Sequence, residues 1–402
     1  MTFGDRPLLP TGAETIRAWA MRFRFRPQLL PAVVMAAVLL AGLGSNIDAL
    51  LTRGDAPSGA RAHYSWHDIL RGKPTADLAH FLLHKNPFAD ALVTVDRVIA
   101  YNTIGDLGTR VRQGCGNWLF LTDELQIHPD REASFARHLK IVEQVAAFLR
   151  SRHIHLVVTP VPDKTRVEAS QLCGVDRPPV LAARYGDFVS GLRAAGIDTV
   201  DLLAPLMQIG GERYYRTDTH WNERGAKAAA DAIAAELQRK GWVPTQKAEY
   251  HVSIGKAHER VGDLIRLAGL DDVPRPLRPR GDVVTPTVIQ QTAAAGTGIL
   301  DAIPAPQLVE IGTSFSRRAD FTDFLGMALG APVTNKAKDG GGLTSAAIAY
   351  FGDPAFTKTS PQVIVWEIPE RILEQPVASS DETWATGLGE GKLSKPRSDR
   401  SW

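Results

Sequence analysis

From Phe135 to Glu367 the chain alternates amphipathic helices with short apolar runs, and this alternation limits the folds open to it. Phe135, Leu139, Val142, Ala146 and Leu149 fall on one face of a helix, and residues 154–159 read as a buried strand. Leu181, Tyr185, Phe188 and Leu192 define a second helix, closed by Gly196 and followed by a strand over 199–202. Ala226, Ala230, Ile233 and Leu237 define a third, with Asn222 placed to cap its start and Gly241 its end. Residues 244–306 break the pattern with Pro, Gly and charge, apart from a helix-like run over 260–265, and read as an insertion or long connection. The alternation then returns, with strand 308–311, a helix through Phe321 and Leu325, helix 345–351 and strand 363–367. Strands separated in this way by helices pack as a mostly parallel sheet covered on both faces.

Sites in such sheets form beyond the carboxyl ends of the strands. Asp218 and His220 sit two apart in a polar loop just before the third helix. A carboxylate that takes the Nδ1 proton of a histidine fixes its tautomer and leaves Nε2 free to accept a proton. The nucleophile that this pair needs follows strand 308–311, where Gly312, Thr313 and Ser314 present a hydroxyl at a strand end. The expected roles are Ser314 as nucleophile, His220 as base and Asp218 as orienter. The Ser314 N–H, the glycine run Gly340, Gly341 and Gly342, and Asn335 are candidate donors to an oxyanion. Lys164 and Arg166, just past a strand end, are candidate contacts for an anionic polymer, with ordinary surface charge as the alternative. Trp221 is a substrate-contact candidate whose ordinary role would be packing. Each triad member also has a plain reading: Asp218 and Ser314 as helix caps, and His220 as a hydrogen-bonded loop residue.

The amino-terminal part speaks to location. Arg17, Arg22, Arg24 and Arg26 precede a stretch from Pro27 to Ile47 without a charged side chain. At about 1.5 Å per residue it reaches roughly 31 Å, enough to cross a hydrocarbon core. A cleaved signal sequence shares this pattern, but no A-x-A site precedes Ser45, which favours an uncleaved anchor. The positive-inside rule then puts residues 1–28 in the cytoplasm, the anchor at 29–47, a linker at 48–64 and the rest outside. Cys115 and Cys173 are the two cysteines; one disulfide fits an exported chain, and so do two unrelated buried thiols. No zinc spacing occurs, His153 and His155 lack a third ligand, and nothing calls for a cofactor or metal. A formal charge of +2 over 402 residues gives no argument for a nucleic-acid partner.

Asp218, Thr219, His220, Trp221 and Asn222, followed by Gly225 and Ala226, resemble the signature of the alginate O-acetyltransferase family of AlgJ and AlgX type. Further stretches resemble it in the same order: Gly116 to Phe120, Pro160 to Lys164, Gly262 to Leu264, Gly312 to Ser316 and Val365 to Arg371. The resemblance spans residues 65–373 and implies a three-layer α/β/α SGNH-hydrolase-like domain with Asp and His ahead of Ser. It implies transfer of acetyl groups in the periplasm to hydroxyls of an exopolysaccharide, from a membrane-bound O-acyltransferase of the inner membrane. A carbohydrate acetylesterase would use the same groups with water as acceptor. A non-catalytic scaffold of a polysaccharide secretion complex is the rival outside enzyme chemistry. Residues 374–402 are polar and read as a disordered tail.

Overall fold

The computed structural model describes residues 30–52, 65–77, 87–292 and 306–389. The expected cytoplasmic segment 1–28 and most of the linker lie outside them. The chain divides into two units, Met1–Asp96 and Arg97–Trp402.

In the first unit, helix α1 (Leu30–Thr52) forms from the charge-free stretch, with Pro31 in its first turn, where a missing N–H costs nothing. Val33, Leu39, Leu40 and Leu43 are exposed. Among the described residues α1 is the one helix long and apolar enough to cross a membrane, over Pro31–Asp48. A short helix, Trp66–Leu70, starts at a capping box in which Ser65 and Asp68 satisfy each other's backbone N–H groups. Helix α2 (Pro87–Ile104) contains the boundary between the units.

The second unit follows the predicted alternation. Strands β1 (Val111–Gln113) and β2 (Leu119–Leu121) pair antiparallel. Then come α3 (Arg131–Ser151), β3 (His155–Val161), α4 (Arg184–Ala194), β4 (Asp198–Thr199) and α5 (Glu223–Lys240). Asn222 caps α5 by accepting from the N–H groups of Arg224 and Gly225, and Gly241 closes it in the left-handed conformation.

The segment read as patternless folds into nested hairpins. Strand β5 (Glu249–Ile254), β6 (His258–Arg260), helix α6 (Asp263–Leu267), β7 (Asp282–Val284) and β8 (Thr287–Thr292) pair β5 with β8 and β6 with β7. The chain returns through β9 (Leu308–Ile311), α7 (Phe321–Leu329), β10 (Thr334–Asn335), α8 (Ser345–Phe351) and β11 (Val363–Pro369).

Strands β10, β9, β11, β3 and β4 form a parallel sheet in that order. Because side chains alternate along a strand, Leu156, Val158, Ile364 and Trp366 face one layer with α3 and α8, while Val157, Val161, Val363 and Val365 face α5 and α7. The unit is therefore a three-layer α/β/α arrangement, the one that the family resemblance implies. One expectation is corrected. Part of the tail read as disordered forms helix α9 (Ser379–Gly389), whose Trp384, Ala385 and Leu388 pack into the same layer as α3. Three apolar side chains on one stripe hold it, too few to stand out against its polar composition. The remainder of the tail lies outside the described residues.

Candidate active site

Strand β9 delivers Gly312, Thr313 and Ser314 to the carboxyl edge of the sheet, beside the buried Glu367 of β11. A Cβ on Gly312 would stand 2.6 Å from Glu367 Oε2, so only glycine allows this close passage. Glu367 Oε2 accepts from the Thr313 N–H at 2.6 Å and the Ser316 hydroxyl at 3.1 Å, and the Thr313 hydroxyl donates to the same carboxylate. Burial pushes the Glu367 carboxyl upward, and these hydrogen bonds work against it. Ser314 opens a 3-10 turn, Ser314–Arg317, so its N–H has no acceptor within that turn. Phe315 packs edge-on to His220 and Trp221, with ring centroids 4.8 and 5.1 Å away.

The loop bearing Asp218 is closed at its base by a bridge between Tyr214 and Trp221 and by the Tyr215 N–H donating to His220 O. His220 Nδ1 lies 2.6 Å from Asp218 Oδ1, and His220 Nε2 lies 2.7 Å from Ser314 Oγ. With the Nδ1–H donating to the carboxylate, Nε2 is the acceptor for the serine hydroxyl. Asp218 Oδ2 accepts from the Asp263 N–H at 3.0 Å and lies 2.9 Å from Arg260 Nη2. Burial alone would raise the Asp218 carboxyl, but His220, Arg260 and the Asp263 amide outweigh it and hold it well below the usual carboxylate range. Asp263 also accepts from Thr219 N and Oγ1, and its Oδ2 stands 3.5 Å from His220 Nδ1.

Asp218, His220 and Asp263 have ligand atoms within 4.8 Å of one another, the spacing of a metal site. However, both Asp218 oxygens already hold N–H donors, one of them a guanidinium that a cation would have to displace. The donor set suits a hydrogen-bonded triad.

Ser314, His220, Gly340, Gly341 and Gly342 line one cleft of about 480 Å³, with Arg110, Asp123, Asp263 and Arg371 also on its walls. The other substrate candidates are elsewhere and are corrected. Lys164 is buried, its ammonium donating to the carbonyls of Leu119, Arg216 and Asp218 at 2.6, 2.9 and 3.0 Å. Burial lowers it to about 8 against the pull of nearby carboxylates, and it acts as a strut under the Asp218 loop. Arg166 is tied to the buried Glu370 at 2.6 and 2.9 Å. Trp221 is fully buried against Phe315 and Phe321. Asn335 donates to Ser316 O and Thr322 Oγ1 and does not line the cleft.

Sequence reasoning missed Arg260, Asp263 and Glu367 as parts of the site. Asp263 and Glu367 lay within stretches singled out by resemblance, but a carboxylate with no visible partner carries no role in a linear reading. Cys115 and Cys173 are joined as a disulfide.

A family model described as "SGNH hydrolase-like domain, acetyltransferase AlgX" matches residues 111–370. The chain is 32% identical to the probable alginate O-acetylase AlgJ of Pseudomonas aeruginosa, covering 71% of this chain and 78% of that protein. It is 27% identical to the alginate biosynthesis protein AlgX of Pseudomonas syringae pv. tomato, covering 64% of this chain and 55% of that protein. Among solved structures, the O-acetyltransferase domain of Pseudomonas putida AlgJ superposes with a TM-score of 0.62 at 28% identity, covering 71% of this chain and 100% of that one. Pseudomonas aeruginosa AlgX superposes with a TM-score of 0.56 at 25% identity, covering 75% and 71%.

Proposed function

Because the chain belongs to the SGNH-hydrolase-like acetyltransferase family of AlgX, we propose that it moves acetyl groups onto hydroxyls of an exopolysaccharide through an acetyl-Ser314 intermediate. The observation that carries this reading is the continuous hydrogen-bonded line from Asp218 through His220 to Ser314 on the wall of an open cleft. Ser314 Oγ attacks the acetyl carbonyl of the donor while its proton passes to His220 Nε2. The tetrahedral adduct collapses, the donor's leaving oxygen takes that proton, and the acetyl remains as an ester on Ser314. A sugar hydroxyl then gives its proton to Nε2 and attacks the ester, and the proton returns to Ser314 Oγ as the acetylated sugar leaves. Asp218 holds the imidazole in place and stabilises its charged form in both halves. The Ser314 N–H and the Gly340–Gly342 backbone are the candidate donors to the oxyanion.

The relatives named for alginate support alginate or a similar exopolysaccharide as acceptor. Helix α1 supports an anchor in the inner membrane with the larger unit in the periplasm, where a membrane-bound O-acyltransferase supplies the acetyl group.

The test is acetyl release from a chromogenic acetyl ester, with mass spectrometry for acetyl-Ser314 and for acetylated oligosaccharide. Ser314→Ala should lower the rate by more than about 10³-fold. Acetylated sugar identifies a transferase, whereas acetate alone means that water is the acceptor. Equal rates for the variant and the starting chain would sink the triad.

A further inference from the structure

The hairpin of β6 and β7 comes from the segment that the sequence presents as an insertion, yet it grips the Asp218 loop from two sides. Arg260 on β6 and Asp282 on β7 are directly opposite in register. Asp282 accepts from the N–H groups of Arg216 and Thr217 at 2.7 and 3.1 Å and from the Thr217 hydroxyl at 2.5 Å. Arg260 reaches the next residue, with Nη2 at 2.9 Å from Asp218 Oδ2, and its guanidinium lies over the Tyr215 ring at 4.2 Å. The chain leaving β6 completes the grip. Gly262 passes so close that a Cβ there would stand 2.0 Å from Thr217 O, and Leu264 donates its N–H to that same oxygen at 3.1 Å.

We propose that Arg260 is a positioning residue for acyl transfer, acting on His220 only through Asp218. The proposal rests on the triad reading above. The far oxygen of Asp218 takes two donors, the Asp263 N–H at 3.0 Å and the Arg260 guanidinium at 2.9 Å, and Arg260 is the charged one. Together they stop the carboxylate turning about its terminal torsion, whose energy wells are broad, so that Oδ1 presents to Nδ1 in one orientation. The planar guanidinium, itself oriented by the Tyr215 ring, suits that task better than a flexible ammonium would. Its charge adds to His220 in keeping Asp218 ionised inside a buried site.

The experiment is a double-mutant cycle on the full chain in detergent, reading kcat and KM for transfer from a chromogenic acetyl ester. Arg260→Met keeps an apolar stem against Tyr215 and removes the donor. It should lower kcat by about 10–100-fold with KM changed by less than about twofold. In the Asp218→Ala background the same change should alter kcat by less than about twofold, because its target is already gone. Arg260→Lys, which keeps the charge but loses the planar stack, should fall between Arg260→Met and the starting chain. It carries the same cycle if the methionine variant does not fold. Equal losses in both backgrounds, a loss carried by KM, or an Arg260→Met chain as fast as the original would each overturn the proposal. An Asp218→Ala chain as fast as the original would instead overturn the triad reading, and the role of Arg260 with it.

Discussion

Beneath the Ser314 turn, two buried carboxyl groups lie on adjacent strands, Glu310 on β9 and Glu367 on β11. Glu367 is the better solvated by protein donors, with Thr313 and Ser316 on its oxygens, whereas Glu310 accepts from Thr322 Oγ1 at 2.7 Å and its Oε1 has no partner. Burial, helped by Glu367, accordingly pushes Glu310 up to about 8. The folded chain thus keeps a proton there that the unfolded chain releases near 4.5. Stability from this group is fully present below 4.5 and is lost as pH rises through about 8, with a slope of at most about 1.4 kcal/mol per unit. Glu310→Gln should flatten the fall of unfolding free energy across that window, as followed by denaturant titration at several pH values. Parallel curves for the two chains would show that Glu310 does not titrate there. Lys164 shows why single residues are the hardest to read. Its position past a strand end suggests exposure, but three carbonyls converge on its ammonium only because β2 and the Asp218 loop meet there.

Among the elements, the long helices and the core strands are legible because their burial pattern repeats within one segment. Helix α5 shows its apolar stripe, its Asn222 cap and its Gly241 stop in the sequence. The short hairpins of residues 249–292 and helix α9 do not, since what holds them lies on other segments. Trp384 is nearly buried, stacked 6.1 Å from Phe351 of α8. Trp384→Ala should cost about 3 kcal/mol of unfolding free energy, typical for truncating a buried large aromatic, as measured by the denaturant midpoint. A midpoint unchanged by the substitution would mean that α9 is not docked in solution.

For the whole molecule, the sheet order β10, β9, β11, β3, β4 is what brings residues from distant stretches to one edge. Strand β9 leads through Gly312 and Thr313 to Ser314, and β3 leads to Lys164 under the loop that holds Asp218 and His220. Meanwhile α1 leaves its apolar side chains outside any core. Deleting residues 1–52 should move the chain from the membrane fraction to the soluble fraction after cell lysis. Persistence of the truncated chain in the membrane pellet would place the attachment in the remaining residues.

The class of fold, the layered alternation, the apolar helix α1 and the residue types of the Asp218, His220 and Ser314 set are all legible in the order of the residues. Those features depend on hydrophobic period, cap chemistry and charge, all of which act over a few neighbouring residues. That His220 and Ser314 stand 2.7 Å apart, that Lys164 is a buried strut, and that Arg260, Asp263 and Glu367 belong to the site all come from how distant segments pack. Each of these depends on which strands become neighbours and on what a buried charge finds opposite it. Local patterning does not encode those pairings, because the energy that selects them comes from burying the whole core at once.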